Sequence, residues 1–166
     1  MNRITERELA EAVLQERERR SSLIVEIALI WTRSEALHVV LNRCAEALVH
    51  HLDAAFARIW TLNREENVLE LQASAGLYTH LDGPHGRVPV GKLKIGLIAE
   101  ELRPHLTNSV IGDPRVSDQE WARREGMVSF AGYPLMVEGR LLGVMAMFAR
   151  RPLGELTLAA LASVAE

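Results

Sequence analysis

The chain has 166 residues, of which 48% are hydrophobic and 25% charged, and its formal net charge is −3. That length accommodates one domain with a sizeable core plus an extension, and the composition excludes a disordered chain. A slightly acidic balance supplies no global field to hold nucleic acid or an anionic membrane, so neither is an expected partner.

The single cysteine, Cys44, excludes an intramolecular disulfide and a zinc site built mainly from thiolates, and it fits a reducing cytoplasm. The most continuous apolar stretch near the N-terminus, Leu23 to Trp31, is broken by Glu26 and falls well short of the roughly 20 residues that a membrane span needs. The first twenty residues hold five acidic and five basic side chains, which is no signal-peptide pattern. A soluble cytoplasmic protein is expected.

Residues 3 to 33 are rich in Glu, Arg, Ala and Leu without Gly or Pro, and predict one long helix. A heptad started at Leu9 places Leu9, Val13, Glu16, Arg20, Leu23, Ile27 and Ile30 on one seam. Two readings stand: a parallel helical dimer with a polar interruption at Glu16 and Arg20, or a solvated stretch followed by Leu23 to Trp31 packing on the domain. Ser34 is an N-cap candidate for a second helix from Glu35 to about His51, with Leu37, Val40, Leu41, Cys44 and Leu48 as its buried stripe. Cys44 in that stripe reads as a buried small hydrophobe rather than a reactive thiol.

Ala54 to Leu62 and Val68 to Ser74 alternate with period two around the polar loop Asn63 to Asn67, and predict a β-hairpin. Strict alternation assigns Ala57, Ile59, Leu69, Leu71 and Ala73 to one face and Phe56, Arg58, Trp60, Glu70 and Gln72 to the other. Tyr78 to Arg87 is a loop with Gly83, Pro84 and Gly86 that carries His80 and His85. Val88-Pro89-Val90-Gly91 then leads into a short helix that ends before Pro104. His105 to Val110 is a strand, and Gly112-Asp113-Pro114-Arg115 a turn. Ser117 to Glu120 matches a capping box opening a helix that Gly126 ends. Val128 to Val137 and Leu141 to Phe148 form a closing hairpin through Glu138-Gly139. A last helix from Gly154, with Leu156, Leu158, Leu161 and Val164, runs to the chain end without a cap, as a helix cut within a longer one would.

Most chemistry lacks its residues. One helix-borne thiol gives no resolving partner for sulfoxide reduction, and no Gly-x-Ser-x-Gly occurs. Gly91 to Gly96 has two glycines five apart, but no Lys-Ser/Thr pair follows. No His-x3-His or Cys pair marks a metal site, and His50 and His51 at a helix end are explained by the helix dipole. Haem would need only one axial ligand, for which His80 or His105 would serve, so no cofactor is assigned.

The order of elements from Leu37 to Val164 resembles a GAF domain. The residues that carry the likeness are Ala57 to Leu62, Pro89-Val90-Gly91 through Gly96 to Glu100, Asn108-Ser109-Val110 with Asp113-Pro114-Arg115, and the closing hairpin from Tyr133 to Val144. The resemblance implies an α+β fold: a central antiparallel sheet with a helical bundle on one face, and short helices and loops over a pocket on the other. It divides the chain into a dimerising signalling helix, residues 1–33, and the domain, residues 34–166. It further implies a non-catalytic sensory or regulatory role, a homodimer formed through the terminal helices, and an attached output domain such as the kinase of a bacterial two-component sensor. Covalent bilin attachment would need a cysteine near the pocket, and Cys44 lies on the wrong helix; the Asn-Lys…Phe…Asp-Glu signature of cyclic-nucleotide binders is missing.

A small-molecule pocket remains. Its candidate lining is Arg58, Trp60 and Gln72 from the first hairpin, His105 and Asn108 from the next strand, and Met145 and Met147 from the last. The helix starting near Ile95 would turn its first N–H groups inward and, with Arg58, would suit an anion. The competing reading is a structural dimerisation module in which Trp60 and the methionines fill a collapsed core and Arg58 pairs with Glu70 across the hairpin; a weaker alternative is a small redox enzyme.

Overall fold

The computed structural model describes residues 6–32, 37–114, 116 and 118–165. In chain order the elements are α1 (Glu6–Thr32), α2 (Leu37–Leu52), β1 (Phe56–Asn63), β2 (Val68–Gly76), β3 (Arg87–Pro89), α3 (Leu93–Glu101), β4 (His105–Thr107), α4 (Gln119–Glu125), β5 (Ser129–Val137), β6 (Arg140–Ala149) and α5 (Glu155–Ala165). The six strands form one antiparallel sheet in the order β3-β2-β1-β6-β5-β4, the architecture the resemblance implied.

The sheet is buried on both faces. On one side α1, α2 and α5 cover a core that includes Leu23, Leu48, Ile59, Met145, Met147 and Leu161. On the other, Trp60, Leu69, Leu71, Ile98, Met127 and Phe130 form a second core beneath α3 and α4. β1 sorts the two by alternation. Ala57 and Ile59 go to the helices, and Phe56 and Trp60 go to the opposite side. Gly143 lets β6 lie against β1, because a Cβ there would clash with the Trp60 carbonyl oxygen.

β2 departs from simple alternation. Ile59 pairs with Ala73 and Trp60 with Leu71, so Gln72 is the extra residue of a β-bulge. Leu69 and Leu71 therefore share the face of Trp60, and Ala73 stays with Ile59, which corrects the expectation of one apolar face running the length of the hairpin. Gln72 turns its amide to the Thr61 hydroxyl at 3.0 Å. The cross-hairpin pair of Arg58 with Glu70, part of the competing reading of a structural module, does not form; Glu70 accepts from Arg87 at 2.9 Å.

Helix ends follow local chemistry. Leu102 takes a left-handed conformation and donates its N–H to Ile98, closing α3 before Pro104. Asp118 caps α4 by accepting from the Trp121 N–H at 3.0 Å, and Gly126, with φ 69°, ends it. The cap candidates Ser34 and Ser117 lie outside the described residues. β4 is shorter than predicted because Asn108 leaves the strand to bracket Leu153, accepting from its N–H at 2.8 Å and donating to its carbonyl at 3.3 Å.

The seam of α1 divides in two. Leu23 and Ile27 are buried against the domain, whereas Leu9 and Val13 of the same seam, and Leu14 beside it, are exposed. In α2 the predicted stripe holds except at Leu37, which is exposed where the helix begins. Cys44 is buried in the helix-side core.

Candidate functional site

A cleft of about 320 Å³ opens on the face of the sheet away from α1, α2 and α5. Its floor is Phe56, Arg58 and Trp60 from β1, Ala146 and Phe148 from β6, and Phe130 from β5. The first turn of α3, the start of α4 with Trp121, and the loop carrying Tyr78, His80, Pro84 and His85 surround it. Aromatic residues dominate these walls: all three phenylalanines, two of the three tryptophans and one of the two tyrosines line it.

The aromatic wall is a contact network. The Phe56 ring lies 5.1 Å from Tyr78, 5.8 Å from Trp121 and 5.2 Å from Phe148, and Phe148 in turn meets Trp121 at 5.1 Å and Phe130 at 4.9 Å. Most of these pairs are edge-to-face, the arrangement that ring quadrupoles favour. Two indole N–H groups fix the rim: Trp60 donates to the His85 carbonyl at 2.8 Å and Trp121 to the Tyr78 hydroxyl at 2.7 Å.

Arg58 is the central charge. Only 8% exposed, it donates from Nε to the Ser74 hydroxyl at 3.0 Å, and Ser74 donates to the Tyr78 carbonyl at 2.6 Å. Its guanidinium lies 5.7 Å from the Phe56 ring and 5.8 Å from that of Tyr78, within range of weak cation–π attraction. No carboxylate among the described residues pairs with it, and burial lowers its pKa from the ordinary arginine value, opposed only by the Tyr78 hydroxyl. The guanidinium stays charged, because arginine does not deprotonate in proteins.

The second cation is matched. Lys94 Nζ is 3.4 Å from Asp113 Oδ2, both side chains are 7% exposed, and the ammonium sits 4.4 Å over the Phe130 ring. Asp113 is held by its loop: the Gln119 amide donates to the carbonyls of Val110, Asp113 and Val116 at 3.1 Å and accepts from Gly112 at 2.8 Å. His85 stands at the cleft mouth with part of its surface in solvent. Burial of its inner side, and after that the charge of Arg58, lowers its pKa.

Of the residues expected to line a pocket, the structure brings Arg58 and Trp60 together there. The others lie elsewhere. Met145 pairs with Ile59 and Met147 with Ala57 across the sheet, so both share the helix-side face, and Ala146 between them reaches the cleft instead. Gln72 is the bulge residue bonded to Thr61. Asn108 clamps Leu153. His105 sits at the far end of α3, where its Nε2 meets Glu101 at 2.7 Å and its buried Nδ1 has no hydrogen-bond partner among the described residues. Sequence reasoning did not select Tyr78, His85, Lys94, Trp121, Phe130 or Phe148. The one available signal was the gathering of Phe and Trp at strand positions in phase with Arg58, but that phase depends on a register the sequence does not print.

The first turn of α3 lies at the cleft: Leu93, Lys94 and Ile95 line it, and the N-cap residue Lys92 makes no side-chain cap. Among the described residues, no helix is long and apolar enough to cross a membrane.

A cleft between a six-stranded antiparallel sheet and short covering helices, with a helical layer behind, defines a class of α+β module built around a pocket. The family model described as GAF domain matches residues 34–166, and the chain belongs to the GAF domain family. The search of curated proteins found no match. Among solved structures, the chain is similar to the GAF domain of a phosphoenolpyruvate-protein phosphotransferase from Coxiella burnetii, at 19% identity and TM-score 0.75, covering 92% of this chain and 89% of that one. It is also similar to the A. aeolicus nlh2 GAF domain in an inactive state, at 18% identity and TM-score 0.72, covering 90% of each chain. A third likeness is to the free methionine-R-sulfoxide reductase from Neisseria meningitidis, solved in complex with its substrate. There the identity is 17% and the TM-score 0.71, with 89% of this chain and 83% of that one covered. At these identities the likeness is one of fold.

Two outcomes test the electrostatics. If Arg58 is held for a ligand rather than for the fold, Arg58→Met leaves the ligand-free chain at least as stable as wild type, within about 1 kcal/mol, in urea unfolding; a loss above about 2 kcal/mol would make Arg58 structural. For His85, an NMR titration should place the midpoint below the ordinary value of about 6.5 and show it rising in Arg58→Gln. Between those two values the unfolded chain binds a proton that the folded chain does not. The folded state therefore loses stability as pH falls below about 6.5, by a small amount because His85 is partly solvated.

Proposed function

We propose that this GAF domain is a non-catalytic sensor: the cleft binds a small anionic molecule, and occupancy is passed to the helical layer, and through it to an output domain such as a sensor kinase. The observation that carries this reading is the Arg58 guanidinium, buried in an aromatic cleft without a carboxylate partner among the described residues. An uncompensated buried charge costs stability, and such costs persist where function requires them. The open cleft favours sensing over the alternative of a structural module with a collapsed core.

The position of Cys44 supports a non-catalytic role. The only thiol lies in the helix-side core, across the sheet from the cleft, where it cannot attack a cleft-bound molecule. For relay, β1 carries Arg58 and Trp60 on one face and Ala57 and Ile59 on the other, so a shift of β1 moves both cores. α1 and α5 lie together behind the sheet, where the Thr157 hydroxyl meets the Glu16 carboxylate at 3.5 Å. A ligand that favours one packing of these helices would bias them by its differential affinity.

The dimer surface in this proposal is the exposed half of α1, with Leu9, Val13 and Leu14, rather than the buried Leu23 and Ile27. Sedimentation velocity should show a dimer for wild type, and a folded monomer for Leu9→Glu combined with Val13→Glu. Leu23→Ala should instead cost about 2–5 kcal/mol of stability by opening a cavity. A monomeric wild type at high concentration would remove this relay route. For the sensor itself, a thermal-shift screen of small anions should yield a ligand adding about 2.7 kcal/mol at 100 times its Kd, with the effect lost in Arg58→Gln.

A further inference from the structure

We propose that the cleft takes a small aromatic monocarboxylate, a single ring bearing one carboxylate, with the carboxylate on Arg58 and the ring among Phe56, Trp121 and Phe148. The proposal rests on the cleft being a ligand site, and four observations narrow the class.

The first is charge. Lys94 is matched by Asp113, and the other carboxylate on the lining, Asp118, is solvent-exposed and accepts from the Trp121 N–H at the start of α4, whereas Arg58 has no acidic partner among the described residues. One unneutralised positive charge suits a monoanion; a phosphate dianion would bring a second charge into the apolar cleft without a counter-ion.

The second is geometry. Arg58 spends Nε on Ser74, and Ser74 is itself locked by donating to the Tyr78 carbonyl. That leaves Nη1 and Nη2, the end of the guanidinium fork, which matches the two oxygens of a carboxylate. The held Ser74 fixes the plane of the fork before any ligand arrives, which reduces the ordering cost of binding.

The third is the wall. The rings of Phe56, Tyr78, Trp121, Phe130 and Phe148 stand in mutual contact at 4.9–6.4 Å between centroids, most of them edge-to-face. A planar ring extends such a network by the same offset and edge contacts, whereas a flexible alkyl chain of similar area gains none of that geometry and loses rotamer freedom. The fourth is size. A volume of about 320 Å³ is at the small end for ligand pockets, ample for one substituted ring and too small to enclose a tetrapyrrole.

The test is titration of the 166-residue chain with benzoate, its neutral isostere benzamide, the ring-free monoanion hexanoate and inorganic phosphate. Binding is followed by calorimetry and by the fluorescence of Trp60 and Trp121. Benzoate is expected to bind at least about tenfold more tightly than benzamide, the usual worth of a charge-assisted hydrogen bond, and more tightly than hexanoate or phosphate. Arg58→Gln is expected to erase the preference for benzoate over benzamide; should that variant fail to fold, the wild-type comparison still decides. Equal binding of benzamide, or unchanged benzoate binding in folded Arg58→Gln, overturns the carboxylate assignment while leaving a cleft ligand in place. Equal or tighter hexanoate overturns the aromatic assignment, and tighter phosphate overturns the monocarboxylate. If none of the four binds at millimolar concentration, the aromatic monocarboxylate class falls, while the sensor reading stands or falls separately on the thermal-shift screen of small anions.

Discussion

A sheet covered on both faces must divide its buried side chains between two cores, and β1, near the middle of the sheet, does the sorting. Its alternation places Ala57 and Ile59 under the helices and Phe56, Arg58 and Trp60 in the cleft. The neighbours follow through register: Met145 and Met147 pair with Ile59 and Ala57 and join the helix side, while Ala146 pairs with Arg58 and lines the cleft. A slip of one residue in β1 would exchange the two cores and place a guanidinium under α2.

On this frame the cleft is built from opposites. Aromatic side chains remove water, which would normally drive ionised groups out, yet Arg58 remains among them, braced by one hydroxyl. The Lys94–Asp113 pair shows how the same environment treats a cation when the fold alone is concerned: it supplies a carboxylate. The difference between the two cations is the physical content of the sensor reading. Burial of its inner side, and after that the charge of Arg58, pushes His85 toward its neutral form.

How much of this was legible in the sequence follows from the range of the interactions. The helices, the two hairpins and the Gly126 stop are set by neighbours within a few residues, so they could be read, and Arg58 and Trp60 could be picked because polar and aromatic residues alternate with Ala57 and Ile59. Gln72 defeated the alternation rule, because a β-bulge is invisible in a two-residue period and moves Leu69 and Leu71 to the other face. Met145 and Met147 were misplaced for a related reason: which of two adjacent positions on β6 faces the cleft depends on cross-strand register. Asn108 and His105 attracted notice as polar residues on a strand, but they serve a clamp on Leu153 and a contact with Glu101, and such long-range or capping partners have no periodic signature. Tyr78 and Trp121 meet across 43 residues of sequence, a pairing that only the folded chain makes visible.

The central claim is that Arg58 is a ligand-binding cation held in an open aromatic cleft, and a crystal structure of the chain grown with benzoate tests it most directly. The account predicts a carboxylate within hydrogen-bond distance of Arg58 Nη1 and Nη2, its ring against Phe56, Trp121 and Phe148, with Arg58 Nε still on Ser74. A cleft filled by its own side chains, or a guanidinium swung onto Asp118 or into solvent with no ligand on it, would contradict the account.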